Sequence, residues 1–500
     1  MINKTLKISK NRWSMKDQIT SWSSQIYQIR FMTLVGLLLL FFSFPKEAKS
    51  QTLDDYLIQA AENNPGLRAS YARYEASMER INQPSLPDPE LQAGIFLKPM
   101  ERFMGNQSAD LRVMQMFPWF GMISTQKEEL GQMAQVDYQL FLEQKNQLFY
   151  QVKSTWYELI RLQEEIFISE ENLNYLEKYK RLALIKYQVG QSNSSSPTEM
   201  AEKPVATSSA SQSSMETMGG KTSDESMAKP QSEVMASSQM SSAEGMNQVL
   251  QIQIEIEELE NQIEQLTADL EPLQIKFNQL LNREQEAKIP LPEELETVKL
   301  NLDRKQVLDS IYRNNPMISM YDAELSALDQ QAKMAKLEGK PMLGAGVNYM
   351  LFSPRPESGM QMGGQNMVMP MVSMTLPIYR KKINSKIKET ELLKKSAFHR
   401  QEETKNLLAM EWSNAFRNWE NANRQLELYE AQIKLVEQQI QLLTTAFSSN
   451  STELDLVLRT QQRLLEYKLK RVNAINLQYQ SLSMLEMLAA NSLQIQFESK

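Results

Sequence analysis

Residues 117–121 read Phe117-Pro118-Trp119-Phe120-Gly121, and residues 376–379 read Leu376-Pro377-Ile378-Tyr379. Each closes a stretch of alternating apolar and polar residues and opens a long helical pattern: the next proline after Pro118 is Pro197, and none follows Pro377. Upstream, Asn63-Asn64-Pro65 and Asn314-Asn315-Pro316 fall at the ends of short helical patterns, Leu53 to Ala61 and Val307 to Arg313. The order short helix, two strands, very long helix, turn, returning helix therefore occurs twice. A duplicated strand pair and helix hairpin is a structural program rather than a catalytic one. Its geometry is that of a conduit.

The strand candidates are Glu90 to Lys98, Asp110 to Phe117, Met342 to Phe352 and Met367 to Leu376. Each has about the 9 to 11 residues that a tilted membrane strand needs. Leu111, Val113 and Phe117 oppose Asp110, Arg112, Met114 and Met116; Val368, Val372, Met374 and Leu376 oppose Met369, Met371, Ser373 and Thr375. One face is expected to meet lipid and the other a lumen, with Gln115 and Pro370 breaking the pattern. Met114, Met116, Met369 and Met371 belong to the lumen set. Four strands cannot close a barrel, and open edges in lipid leave backbone groups unsatisfied, so oligomerisation is required. Three copies supply twelve strands and enough long helices to close a tube.

The helices carry heptad seams. Leu426, Tyr429, Ile433, Val436, Ile440, Leu443 and Phe447 form one, and Ile252, Ile256, Leu259, Ile263, Leu266, Leu270, Leu273, Phe277 and Leu280 another. Such seams predict antiparallel coiled-coil packing, with a kink at Pro272. The descending helices, about Ser124 to Val189 and Ile383 to Phe447, span on the order of 100 Å each. The fold class is therefore an α+β membrane protein built from a duplicated unit.

Residues 1–50 read as a signal peptide: basic residues between 4 and 30, the apolar run Phe31 to Phe44, and Ala48-Lys49-Ser50 before Gln51, with Met1, Met15 and Met32 as alternative starts. The run is too short for a membrane anchor. Removing it takes away 8 Lys+Arg and 2 Asp+Glu from 54 and 61, which leaves 46 − 59 = −13. Nucleic acid is excluded as a partner by that charge. The absence of cysteine excludes disulfides, thiolate metal sites and a lipidated N-terminal cysteine. The single histidine, His399, has no companion nucleophile or ligand and reads as a solvated helix residue. With no GxSxG, HExxH or phosphate-cradling glycine loop, the chain is expected to be no enzyme and to carry no cofactor.

Over residues 51 to 500 the chain resembles the TolC family of outer-membrane efflux proteins, and within it the heavy-metal branch typified by CusC. The resemblance is carried by the two Asn-Asn-Pro starts, by Phe117-Pro118-Trp119-Phe120-Gly121 and Leu376-Pro377-Ile378-Tyr379, and by two hairpin tips. One tip is Tyr187-Gln188-Val189-Gly190; the other runs from Phe447 through Asn450 and Asp455 to Val457, followed by Gln461-Gln462. The resemblance implies a homotrimer with a 12-stranded β-barrel in the outer membrane of a Gram-negative bacterium and a helical barrel in the periplasm. It also implies outer-membrane lipid around the barrel, and a periplasmic adaptor and an inner-membrane pump of RND type below it. Tyr187, Gly190, Phe447, Asn450 and Asp455 would meet the adaptor. Asn450 stands where the family has glycine, and Gln248 where it has aspartate.

The domains follow: 51–295 is the first repeat and 296–500 the second. The first tip is interrupted by 191–247, a serine- and methionine-rich insertion without aromatic residues that is expected to be disordered. Its Met200, Met215, Met218, Met227, Met235, Met240 and Met246 sit in polar sequence, where a thioether has no packing role. Soft thioethers suit Cu(I) and Ag(I), so Met215, Met218, Met227, Met235, Met240 and Met246 are candidate ligands, and a linker is the alternative. Further methionines cluster at 100–122 and 342–374, where gap filling is the alternative to metal handling. The expected function is an exit duct for Cu(I) or Ag(I). A duct for organic drugs is one alternative. A periplasmic coiled-coil adaptor or scaffold is another, but it leaves the duplicated strands unexplained.

Overall fold

The computed structural model describes residues 52–102, 104–193, 232–292, 295–298, 303–357, 360–448 and 454–491. In chain order the elements are α1 (Leu53–Asn63), α2 (Pro65–Arg80), β1 (Glu90–Arg102), β2 (Gly105–Phe117), α3 (Met122–Asn193), α4 (Ser232–Leu280), α5 (Arg304–Asn314), α6 (Pro316–Leu337), β3 (Met342–Ser353), β4 (Arg355–Glu357), β5 (Met360–Met362), β6 (Met367–Thr375), α7 (Arg380–Ser448) and α8 (Leu454–Ala489). The signal-peptide reading lies outside the described residues. The chain divides into two compact units, 1–55 and 56–500. In the first, Thr52 and Asp55 exchange bonds across the first turn of α1: the Thr52 amide donates to Asp55 Oδ2 (2.9 Å) and the Asp55 amide to Thr52 Oγ1 (3.4 Å).

The second unit begins each repeat with the same helix start. Asn64 and Asn315 hold extended backbone (ψ 121° and 126°), and their side-chain oxygens accept from the amides of Leu67 and Met317. Proline follows at the first helical position, where no amide donor is needed. The second half of each asparagine side chain reaches much further. Asn64 Nδ2 donates to the Leu280 carbonyl (3.0 Å), and Asn315 Nδ2 to the Leu488 carbonyl (2.9 Å). Both carbonyls belong to the last turn of a returning helix, where carbonyls lack intrahelical partners. Two residues on, Asn282 (φ 51°) and Ala490 (φ 50°) adopt the left-handed conformation. The Arg283 amide then bonds to the Asn278 carbonyl (3.1 Å), and the Asn491 amide to the Glu486 carbonyl (3.2 Å). The duplication thus extends to individual hydrogen bonds.

Aromatic side chains fill the space beside each lock. Tyr56, Trp156 and Phe277 meet at centroid distances of 5.1 to 5.6 Å, under the Arg283 guanidinium. In the second repeat Arg304 lies over Trp412 and Phe416, which belong to a core with Val307, Ile311, Trp419, Leu482 and Leu485. The descending helices α3 and α7 have 72 and 69 residues, roughly 105 Å at 1.5 Å per residue. Among the described residues, no helix is long and apolar enough to cross a membrane.

Strands β1, β2, β3 and β6 form one antiparallel sheet in the order β1-β2-β3-β6, so each repeat supplies one hairpin and the β2–β3 pairing joins the repeats. Three of the four strands reach beyond the expected ends toward the β1–β2 and β4–β5 turns. The β4–β5 ribbon was not legible from alternation, because three residues per strand do not show a period. Two expectations at the first hairpin need correction. Gly190 lies inside α3, which continues to Asn193, and the returning helix starts at Ser232, well before Val249. The reason is composition: beyond Pro230 the serines are interspersed with Glu, Ala, Gln and Met, which extend an existing helix without a new nucleation step. Residues 194–231 of the insertion lie outside the described residues. Helix α4 runs on through Pro272.

Candidate functional site

Between its two register shifts, at Ile95/Met100 and Gln107/Ala109, and the far ends of the strands, the register sorts the paired sheet residues to one face or the other. Leu91, Ala93 and Ile95 of β1 share a face with Ala109, Leu111, Val113, Gln115 and Phe117 of β2, with Leu343, Ala345, Val347, Tyr349 and Leu351 of β3, and with Val368, Pro370, Val372 and Met374 of β6. This face is apolar and open: Ile95 is 81% and Val372 85% exposed. The two breaks in the pattern have local explanations. Gln115 turns its amide to the Pro87 carbonyl (2.6 Å) and the Met116 carbonyl (3.0 Å). Pro370 sits on β6, an edge strand in this chain, where a missing amide donor is tolerated.

The opposite face carries Gln92, Asp110, Arg112, Met114, Met116, Asn348, Met350, Met367, Met369, Met371 and Ser373, and its residues on β2 and β3 are half-buried or buried. All four methionines expected to share a face, Met114, Met116, Met369 and Met371, do so. Two glycines shape their surroundings. A side chain at Gly344 would collide with Ser373 Oγ and with the Met116 thioether, 2.7 Å from its Cβ, while the Met114 thioether at 3.4 Å is in ordinary contact; one at Gly346 would collide with the Val113 carbonyl at 2.5 Å. Ser373 Oγ lies 3.6 Å from Met114 Sδ and 3.8 Å from Met116 Sδ. Gly344 and Gly346 escaped the sequence reading, and Ser373 was placed on this face without its contacts to the thioethers; glycines two apart opposite methionines two apart were the available signal. One row further, Arg112 pairs in register with Asn348, and both Arg112 Nε and Asn348 Oδ1 are buried without a hydrogen-bond partner.

At the far end the two helix hairpins meet in one core of Leu176, Tyr179, Ala183, Val249, Ile252, Ile256, Leu259, Phe447, Leu454, Val457 and Leu458. Phe447 is 7% exposed and lies under the Lys186 ammonium at 4.4 Å, so it shapes the tip from within. Tyr187 is half-buried beside Gly245, and Gly190 is helical. Asp455 accepts from Arg459 (2.8 Å) and from Gln251 of the other repeat (3.4 Å). Burial pushes the Glu255 carboxyl above its ordinary value, and the charges of Glu258 and Asp455 add to the effect. Gln251, Lys186 and Glu255 were not singled out in sequence, because nothing local marks them as tip residues. Asn450 lies outside the described residues, as do Met200, Met215, Met218 and Met227. Met235 and Met240 fall within α4, and Met246 is exposed on it. His399 is exposed, with Nδ1 3.2 Å from Glu402 Oε2.

Between sheet and tips, α3 faces α8 through a polar seam. Glu158 binds Arg161 (2.6 Å) and Asn476 (2.8 Å), Glu165 binds Asn473 (2.7 Å), Asn172 binds Gln461 (2.8 Å) and Lys153 binds Glu486 (2.7 Å). Burial disfavours the ionised Glu158, but the Arg161 hydrogen bond and charge, with Asn476, outweigh it and hold the carboxyl below its ordinary value. The cleft there, about 450 Å³, is lined by Thr155, Glu158, Arg161, Lys276 and Asn476 among others. Glu158 and Arg161 are paired with each other there, and the Lys276 charge also favours the ionised Glu158.

No curated protein matches the chain in sequence. Solved structures with the same fold include the outer-membrane channel OprN (TM-score 0.63, 14% identity, covering 88% of this chain and 90% of that one). Another is the open state of the outer membrane channel MtrE from Neisseria gonorrhoeae (0.59, 13%, 89% and 90%). A third is CusC, described for its folding and transmembrane channel formation (0.55, 12%, 90% and 96%). These are channels, not enzymes. A family model described as outer membrane efflux protein matches residues 307–491, from within α5 through α8. Residues 307–491 thus match the outer membrane efflux protein family, in a chain that has the fold of these outer-membrane channels.

Proposed function

We propose that the chain is the outer-membrane exit duct of a tripartite efflux system, working as a homotrimer with a periplasmic adaptor and an inner-membrane pump. The observation that carries this reading is the sheet: one face open and apolar except for Gln115 and the Tyr349 hydroxyl, the other lined by methionine and polar groups, with unpaired edges at β1 and β6. Lipid is the solvent that suits the first face, and a second copy is what an unpaired edge in lipid demands. Native mass measurement of detergent-extracted protein is expected to give a trimer from the outer-membrane fraction. A stable monomer, or recovery without detergent, overturns the reading.

The cargo we infer is Cu(I) or Ag(I). Support comes from methionine chemistry, since neutral thioethers select soft monovalent ions. The insertion methionines are read as a collector at the tip. Deleting residues 194–231, which keeps both helix ends, together with Met235→Leu, Met240→Leu and Met246→Leu, is expected to preserve the trimer and lower copper and silver tolerance. Equal tolerance with and without these changes leaves the linker reading, and unchanged tolerance on removing the whole protein leaves organic cargo. Tyr187, Gly190, Asn450 and Asp455 are read as the surface that meets the adaptor, with Phe447 supporting it. Gly190→Trp is expected to abolish export with the trimer intact, and normal export would remove these turns from the interface.

A further inference from the structure

On the methionine face, strand register places Met116, Gly344 and Ser373 in one row and Met114, Gly346 and Met371 in the next. With no side chain on β3 in either row, the thioethers from β2 lie over bare backbone. Met116 Sδ and Met114 Sδ come to 2.7 and 3.4 Å from where a Cβ at Gly344 would stand, and both lie within 4 Å of Ser373 Oγ. Two sulfurs and a hydroxyl therefore converge on one notch. Glycine in a strand interior weakens it, and an alanine or valine on β3 with shorter neighbours would pack the sheet better. Methionine as gap filler does not account for the notch, since here the glycines make the gap that the methionines enter.

The geometry points to a binding site for a soft monovalent cation, Ag(I) or Cu(I), held by Met114 and Met116 with Ser373 as a weak third donor. Met371 is the next thioether in reach. The site rests on the duct reading only for its placement on the cargo path; its chemistry is independent of it. Thioethers are neutral, so the ion keeps its charge, and Arg112, two residues from Met114 along the strand, opposes it. A binding step on a path must be strong enough to admit the ion and weak enough to release it. Thiolates would fail the second condition, and neutral thioethers near a guanidinium meet both.

The test uses the purified full-length trimer and Ag(I) alone, which needs no reductant. Silver bound per chain is measured for the parent and for the double variant Met114→Leu, Met116→Leu. Leucine conserves volume closely enough to keep the fold, which is verified by trimer mass and thermal unfolding. The expected result is a loss of about one silver per chain, with the Ser373→Ala variant retaining the ion at roughly three- to tenfold weaker affinity, in line with loss of one weak contact. Zn(II) in excess is expected not to compete. An unchanged silver count in a folded double variant overturns the site while leaving the duct reading intact. A lost ion with unchanged silver tolerance in cells supports the site and overturns silver as cargo.

Discussion

The two ends of the helical repeats have diverged to different degrees. At the ends of α4 and α8 the repeats agree bond for bond: an asparagine cap, a side-chain amide on the last-turn carbonyl, a left-handed residue and a closing 6→1 bond. At the tips, one hairpin carries a long insertion and a Tyr187–Gly245 contact, and the other only five residues between α7 and α8, with Asp455 in the first turn of α8. The locked ends obey packing and hydrogen-bond satisfaction within the chain, which admit few solutions. The tips close nothing, so sequence there is free to follow whatever they meet.

The strongest way to break the comparison is to remove a lock. Asn315 is 2% exposed, so Asn315→Ala loses a cap and strands a buried carbonyl, and about 2–4 kcal/mol of stability should disappear. Asn64 is only half-buried, and Asn64→Ala should cost about 1–2 kcal/mol. Denaturant midpoints of the detergent-solubilised protein check both, and equal effects would mean the locks are not graded by burial.

Next in size is the pH response of the tip. Because Glu255 is raised in the folded state, its contribution is fully present below the ordinary value of 4.5 and is lost as pH rises through the folded value. Glu255→Gln should therefore stabilise the folded protein at pH 7, and its advantage should vanish below about pH 4.5. An advantage that is constant with pH would show that packing, not charge, is responsible.

Ala490→Gly should then stabilise by about 0.5–1 kcal/mol, because alanine is strained at φ 50°. Asn282→Gly should give less, since asparagine tolerates that conformation. The smallest effect is expected for Arg459→Gln: its bond to Asp455 is largely exposed, and a change within about 0.5 kcal/mol is anticipated.

What the sequence discloses follows the same division. The sheet faces were legible because period-two alternation is imposed all along a strand, and Met114, Met116, Met369 and Met371 could be assigned to one face without coordinates. Asn-Asn-Pro marked the short helices α1 and α5, but the helices that start after it, α2 and α6, were not read from the sequence. The reach of Asn64 to Leu280 and of Asn315 to Leu488 was not, because it joins residues 216 and 173 positions apart. Nor was the contact of Ser373 with the thioethers, which depends on two other strands passing beside it. Gly190 misled because a glycine near an expected turn reads as a stop, whereas one glycine is tolerated in a helix that packing holds.

The lock has a further consequence for ancestry. Asn64 closes onto its own repeat and Asn315 onto its own, so neither half borrows the bond from the other. In the sheet the joint between halves is the β2–β3 seam, which works beside the α3–α8 polar seam and the shared tip core of the helices. A half-length forebear with one strand hairpin and one helix hairpin would have owned a complete lock and two unpaired strand edges. Holding two such halves in one chain turns the β2–β3 pairing from an encounter between chains into a covalent certainty.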